Sequence, residues 1–218
     1  MSTGWSIYTC FISRYGLYLD VLDTIKNILV KGLTEKLKVH HSVYRLPCTS
    51  EFLEELIANT FTEHGLINDW QPNRSHSVSV DMSLESGESF SVKSGVYANN
   101  TLTFSGSRLG KHETLDKMIA SVVDNSAKYY VCLAKADQDW SSVPAKNEKK
   151  VYYLFIFDSQ TLIYDSGVWN KVETKSGGYN YVMESIGMSA RINTSMSSQL
   201  WTSVSESIIG SPTKLEIE

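Results

Sequence analysis

Between residues 77 and 93 the chain alternates apolar and polar side chains in two short runs. Val78, Val80, Met82 and Leu84 interleave with Ser77, Ser79, Asp81 and Ser83, and Phe90 and Val92 interleave with Ser89, Ser91 and Lys93. A period of two is that of a strand with one face buried and the other wet. Two such runs separated by Gly87 predict a β-hairpin. Paired strands must turn their apolar side chains to one face, because a one-residue slip inverts them all. Matching Leu84 with Phe90 and Met82 with Val92 meets this condition, with a three-residue loop Ser86-Gly87-Glu88. The same register sets Asp81 against Lys93 and Ser83 against Ser91 on the polar face. Taken alone, the Asp81–Lys93 pair reads as an ordinary cross-strand ion pair, which contributes little.

A helix precedes the hairpin. Ser50 is the expected N-cap, Phe52, Leu53, Leu56, Ile57 and Phe61 follow at helical spacing, and Gly65 ends the run, which predicts a helix over 50–64. On a helical wheel Glu54 falls at the rim of the apolar face, next to Phe61, and Glu55 points away from it. A carboxylate at that rim reaches the edge of whatever sheet the helix covers.

The other segments divide clearly. Residues 17–39 predict an amphipathic helix with Leu22, Ile25, Ile28, Leu29 and Leu33 on one side, a core or dimer surface. A helix over 112–126 presents Leu115, Met118, Ile119, Val122 and Val123, and Glu113 points away from that face. Residues 128–136 and 151–157 are apolar runs suited to strands buried on both faces. Leu102-Thr103-Phe104 reads as a short strand beyond a break at Ser94-Gly95. The link 137–150 is polar and reads as a surface loop.

Composition limits the alternatives. A 218-residue chain that is 42% hydrophobic builds one sizeable core. It has no run of about 18 apolar residues, so no membrane span is expected. The N-terminus lacks the basic and apolar regions of a secretory signal, and three cysteines, Cys10, Cys48 and Cys132, stand far apart. Together these lead us to expect a cytoplasmic protein. There is no zinc-ligand spacing, Walker-type loop or G-x-S-x-G elbow, and the five histidines form no pattern. Net charge is −4, but it is uneven: residues 1–50 carry six Lys/Arg and three acids, whereas residues 51–90 carry one Arg and eight acids. An acidic pool around Asp81 attracts cations.

In chain order, Glu54-Glu55-Leu56-Ile57 through Glu63-His64-Gly65, then His76 to Asp81, a turn, and Ser91-Val92-Lys93 resemble the PD-(D/E)xK nuclease superfamily over roughly residues 50 to 135. The order is helix glutamate, strand aspartate, hairpin, and a lysine two residues past the second acidic position. The helix segment is similar to that of archaeal Holliday-junction resolvases, and Ser-Val-Lys-Ser-Gly looks more like type II restriction endonucleases. Two positions depart from the motif: Val80 stands for its proline, and Ser91 for its second acid.

The resemblance implies a Mg²⁺-dependent type II restriction endonuclease that hydrolyses phosphodiesters of double-stranded DNA at a short sequence. It implies an α/β/α sandwich around a central mixed sheet, as one domain over 1–218 with a helical part at 1–45. It also implies a homodimer, since a palindromic site matches two-fold symmetry. Asp81 is then the central Mg²⁺ ligand and Glu54 the second. Lys93 orients or deprotonates the attacking water, and Ser91 holds a water or a phosphate oxygen. Glu113 is the first candidate for the missing acid, although it lies twenty residues beyond Lys93 (113 − 93), and Glu88 is a poorer one. Arg108 and Lys111, in a polar loop, are candidate phosphate contacts. Within 177–218, taken as the DNA-contacting part, Arg191, Asn193 and Gln199 carry the side chains that read base edges, and Trp201 is expected in the core. The rivals are a junction or repair nuclease of the same superfamily and a non-catalytic DNA-binding protein on that fold, which Ser91 favours.

Overall fold

In the computed structural model, which describes residues 14–67, 80–110, 114–138, 140, 149–194 and 198–218, the chain opens on two helices, α1 (Arg14–Val43) and α2 (Ser50–Glu63). Three strands follow, β1 (Met82–Ser83), β2 (Ser89–Ala98) and β3 (Thr101–Arg108), then α3 (Leu115–Asp124). After β4 (Tyr129–Ala136) and β5 (Lys150–Asp158) come a 3-10 turn (Ser159–Thr161) and four strands, β6 (Trp169–Glu173), β7 (Tyr179–Ser185), β8 (Met188–Asn193) and β9 (Gln199–Ser205). A short α4 (Glu206–Ile209) leads into β10 (Thr213–Ile217).

The helix boundaries differ from the sequence expectation at their ends. α1 is 30 residues long and overruns 17–39 on both sides. α2 is capped at Thr49 rather than Ser50, without a side-chain bond. α3 begins at Leu115, where the Thr114 side chain accepts from the Lys117 N–H at 3.4 Å. The apolar stripes hold: Ile25, Leu29, Leu33 and Leu37 of α1 and Leu53, Ile57 and Phe61 of α2 are all buried.

The ten strands among the described residues join one mixed sheet, in the order β10-β5-β4-β2-β3-β9-β8-β7-β6, with β1 paired to β2 off that path. The β2–β4 pairing is parallel and the other pairings are antiparallel. β4 is buried on both faces from Tyr129 to Ala134, as its apolar run requires. Helices lie on both faces of the sheet. Tyr129, Val131 and Leu133 of β4 face a core that includes α1, α2, Phe90 and Val92, with Phe90 5.7 Å from Phe61 and 5.5 Å from Tyr129 between ring centres. Tyr130, Cys132 and Ala134 face a second core with Met118 and Val122 of α3, Phe104 and Phe157. The architecture is therefore mixed α/β with a large sheet and few helices.

The hairpin is real but its register is not the one expected. Met82 pairs with Phe90 and Ser83 with Ser89. Leu84 N–H donates to the Glu88 carbonyl at 2.8 Å, so the loop is Glu85-Ser86-Gly87, and Gly87 takes a φ of +97° that a side chain would strain. Alternation fixes only parity: a slip of two residues keeps every side chain on its face, and the pattern cannot see it. The expected break at Ser94-Gly95 is also absent. β2 runs straight through it and turns at Asn99-Asn100, whose φ values of 50° and 56° belong to a tight hairpin turn. Gly95 is there for proximity, because a Cβ would stand 2.6 Å from the Thr103 carbonyl oxygen.

Residues 177–218 add strands to this same sheet. β10 crosses back to pair with β5 at the far end, beside α1, where Lys214–Glu216 (2.6 Å) and Lys149–Glu216 (3.1 Å) ion pairs line it. β6, at the opposite end, has one neighbour among the described strands, and Lys171 folds over the Tyr179 ring at 4.0 Å. His41, unremarkable in sequence, ties α1 to the sheet. Its Nε2 lies 2.8 Å from the Tyr152 hydroxyl and its Nδ1 2.9 Å from the Tyr44 carbonyl, while Cys48 N–H donates to the same hydroxyl at 2.9 Å. The carbonyl only accepts, so Nδ1 carries the proton and Nε2 accepts from Tyr152 in the neutral ring.

Two outcomes follow for stability. Gly95→Ala should destabilise the fold by about 1–3 kcal/mol in urea titrations, since a backbone oxygen cannot swing aside. Burial, aided by His40 and Lys150, holds the His41 pKa below its ordinary value. Its contribution is complete above about pH 6.5 and lost as pH falls through the lower folded value, so the melting temperature should drop on acidification below about pH 6.5, and His41→Gln should blunt that drop.

Candidate active site

β2 changes neighbours along one edge. β4 occupies its other edge continuously from Phe90 to Tyr97, so β1 and β3 must share the remaining one. β1 takes Ser89 and Phe90, and β3 takes Gly95 to Ala98. Residues 91–94 lie in the fork between them. Asp81, one residue before β1, turns its carboxylate into this fork.

A single oxygen, Asp81 Oδ2, gathers three donors. Val92 N–H donates at 2.6 Å, Ser91 Oγ at 3.1 Å and Lys93 Nζ at 3.2 Å. The first replaces a ladder bond that a longer β1 would have made. The Asp81 main chain also donates to the Phe90 carbonyl at 2.9 Å, which fixes the carboxylate's origin. Asp81 lies one residue before the paired stretch, and its side chain reaches both Ser91 and Lys93 on the neighbouring strand. The Asp81 and Lys93 side chains are only 14% and 16% exposed, so the pair is sheltered from most solvent. Ser91 is buried.

The ground beneath the pair is uncharged. Tyr130 and Cys132 stand beside Ser91 and Lys93 on β4. Burial pushes the Tyr130 phenol and the Cys132 thiol well above their ordinary ranges, so both are neutral near pH 7. Next to Tyr130 opens a cleft of about 470 Å³, walled by Ser89, Val122, Lys128, Gln160, Tyr164 and Asp165.

Of the other expected site residues, those that the structure describes are not gathered here. α2, which carries Glu54, packs on the Phe90 and Val92 face, opposite to the side chains of Asp81, Ser91 and Lys93. Glu88 turns toward Ser86, whose hydrogen bond lowers its pKa, and toward Lys128 at 4.0 Å. Glu113 and Lys111 lie outside the described residues, as does His76. Among the described residues no group of three or more His, Cys, Asp or Glu side chains is placed to hold a metal ion. Arg108, Gln199 and Asn193 form one row across β3, β9 and β8, with Arg191 on the same face of β8. That face is opposite to Asp81, because the alternate residues Phe104, Leu200 and Ile192 lie in the α3-side core. Gln199 Nε2 is bonded to the Gly106 and Leu200 carbonyls, which spans the bulge between Ser105 and Arg108. Trp201 is not in the core: it is 36% exposed on this outer face.

Among the described residues no helix is long and apolar enough to cross a membrane, and Cys48 and Cys132 are free and buried. No family model matches the chain, and no curated protein or solved structure matches it either.

The bond pattern makes a direct prediction. Asp81→Ala leaves the Val92 N–H and the Lys93 ammonium without this acceptor and should cost about 2 kcal/mol, whereas Ser91→Ala, which removes one donor, should cost under about 1 kcal/mol. Equal stability of Asp81→Ala and the wild type in chemical denaturation would remove the fork as an organised site.

Proposed function

We propose that this chain is a Mg²⁺-dependent endonuclease acting on double-stranded DNA, of the restriction-endonuclease-like α/β/α type, and most simply a type II restriction enzyme working as a homodimer. The observation that carries this reading is the fork itself. An aspartate and a lysine 3.2 Å apart, flanked by a serine hydroxyl, meet beside the stretch of β2 that, among the described residues, has no strand paired to that edge. A phosphodiester presented there meets a cation site and a proton-handling amine together.

The donor set suits the ion only in part. Mg²⁺ takes oxygen ligands, often one or two carboxylates completed by water and substrate phosphate. Asp81 supplies one carboxylate, Glu113 remains the first candidate for the missing acid, and Glu54, expected as the second ligand, is carried by α2 on the other face of the sheet. Bound there, Mg²⁺ would neutralise charge on the phosphoryl oxygens and make water a stronger acid. Lys93, released from Asp81, would orient the attacking water and stabilise the charge that builds on phosphorus-bound oxygen. Ser91 would position a water or phosphate oxygen. The uncharged Tyr130 and Cys132 floor keeps those electrostatic effects from being diluted.

One observation favours a second reading. Oδ2 is already saturated by three donors, and no acidic cluster accompanies it among the described residues. A DNA-binding protein that keeps the fork and lacks the chemistry has the same appearance. A junction or repair nuclease shares the site and differs in the DNA it recognises.

Purified protein with Mg²⁺ should cut plasmid or phage DNA into discrete bands, and Asp81→Ala and Lys93→Ala should each lower the rate by at least about a hundredfold. A smear or junction-only cleavage points to the repair nuclease. No cleavage with any divalent ion, or full activity in either variant, rejects the site.

A further inference from the structure

Among the described residues, half of one sheet face carries no helix. α1 and α2 cover the Phe90 and Val92 face over β2, β4, β5 and β10, and no residue of β3, β9, β8 or β7 belongs to that core. On those four strands the outward residues are mostly polar; Val182 and Trp201 are the apolar ones, and Trp201 is the large one. Trp201 is 36% exposed, whereas its neighbours Leu200 and Thr202 on the inward face are 2% and 1% exposed. Thr103, Val182, Glu184, Arg191, Trp201 and Ser203 line a shallow cleft of about 260 Å³ around the indole. Arg191 stands directly across from Trp201, and among the described residues it has neither an ion-pair nor a hydrogen-bond partner. Arg108 lies on the same face, one row away.

The geometry points to a binding surface for single-stranded nucleic acid, on which an unstacked base lies against Trp201 and the backbone phosphates run past Arg191 and Arg108. The reasons are chemical. An indole held on a rigid sheet offers a flat π-face at little entropic cost, and every base has a matching one. A duplex cannot use it, because its base faces are already stacked, and a sheet face this broad does not enter a groove. The two guanidinium groups supply charge complementary to phosphate. Glu184, across the cleft, repels phosphate and accepts from an exocyclic amine, so it sets the base edge on its own side and the backbone on the arginine side. This surface lies on the opposite side of the sheet from Asp81, and it stands whether or not Asp81 supports cleavage.

The test is fluorescence anisotropy of a labelled oligodeoxycytidine of about 12 nucleotides, titrated with the full-length Asp81→Ala protein in a chelating buffer. We expect binding that Trp201→Ala weakens roughly fivefold to a hundredfold and that Trp201→Phe largely restores. Arg191→Gln should lower the slope of log affinity against log salt by about one. Circular dichroism of each variant guards against misfolding, and the phenylalanine variant keeps the test informative if the alanine one fails to fold. Binding unchanged in Trp201→Ala, no binding by the parent protein, or preference for the matching duplex or for a neutral oligosaccharide overturns the proposal. Failure to cut plasmid with Mg²⁺, together with intact single-strand binding, would reject only the endonuclease reading.

Discussion

One strand with two successive neighbours on a single edge governs the candidate site. β2 is locked to β4 along its length, so it cannot shift to close the gap between β1 and β3. An unpaired backbone donor inside a protein costs as much as a lost hydrogen bond. Here a side chain supplies the acceptor: the Asp81 carboxylate takes the Val92 N–H at 2.6 Å. The same oxygen then draws in Ser91 and Lys93, so one structural need concentrates three polar groups at one point. A strand break at 91–94 would have dispersed them.

How much of this can be read from the residues depends on what each signal measures. Alternation at 82–84 and 89–93 gives the face of every side chain, and it places Asp81, Ser91 and Lys93 together correctly. It does not give the register, since parity is blind to a slip of two; the turn decides that, through Gly87 at positive φ. The buried strand β4 is legible because an unbroken apolar run leaves no wet face. Gly95 misleads because sequence shows a missing side chain and not the Thr103 carbonyl that requires it. Trp201 misleads for the converse reason: an aromatic on an alternating strand looks inward until the sheet's cover is known. His41 carries no sequence signal, because the partner that ties it to the sheet, Tyr152, lies 111 residues further along the chain.

The outer strands separate two chemistries. The Asp81 side of β2 shares its face with the α3 core, and the Arg191 and Trp201 side shares its face with the α1 and α2 layer. Candidate residues that look like one set in the primary sequence are thus divided by the thickness of a sheet. Glu54 lies on the Trp201 side of that division, with α2. The division follows from strand parity and from the bulge between Ser105 and Arg108, which returns Arg108 to the face of Gln199.

The two ends of the sheet also differ in kind. At β10 the last ladder is hemmed by the first helix and stitched by Lys149, Lys214 and Glu216. At β6 no described strand pairs with the outer edge, and Lys171 and Glu173 flank Val172 there. An incoming ribbon would have to desolvate those charges before gaining any new ladder. Among the described strands, an exposed charge pair at one border and an ion-pair row beside the first helix at the other would each oppose end-to-end growth of the sheet.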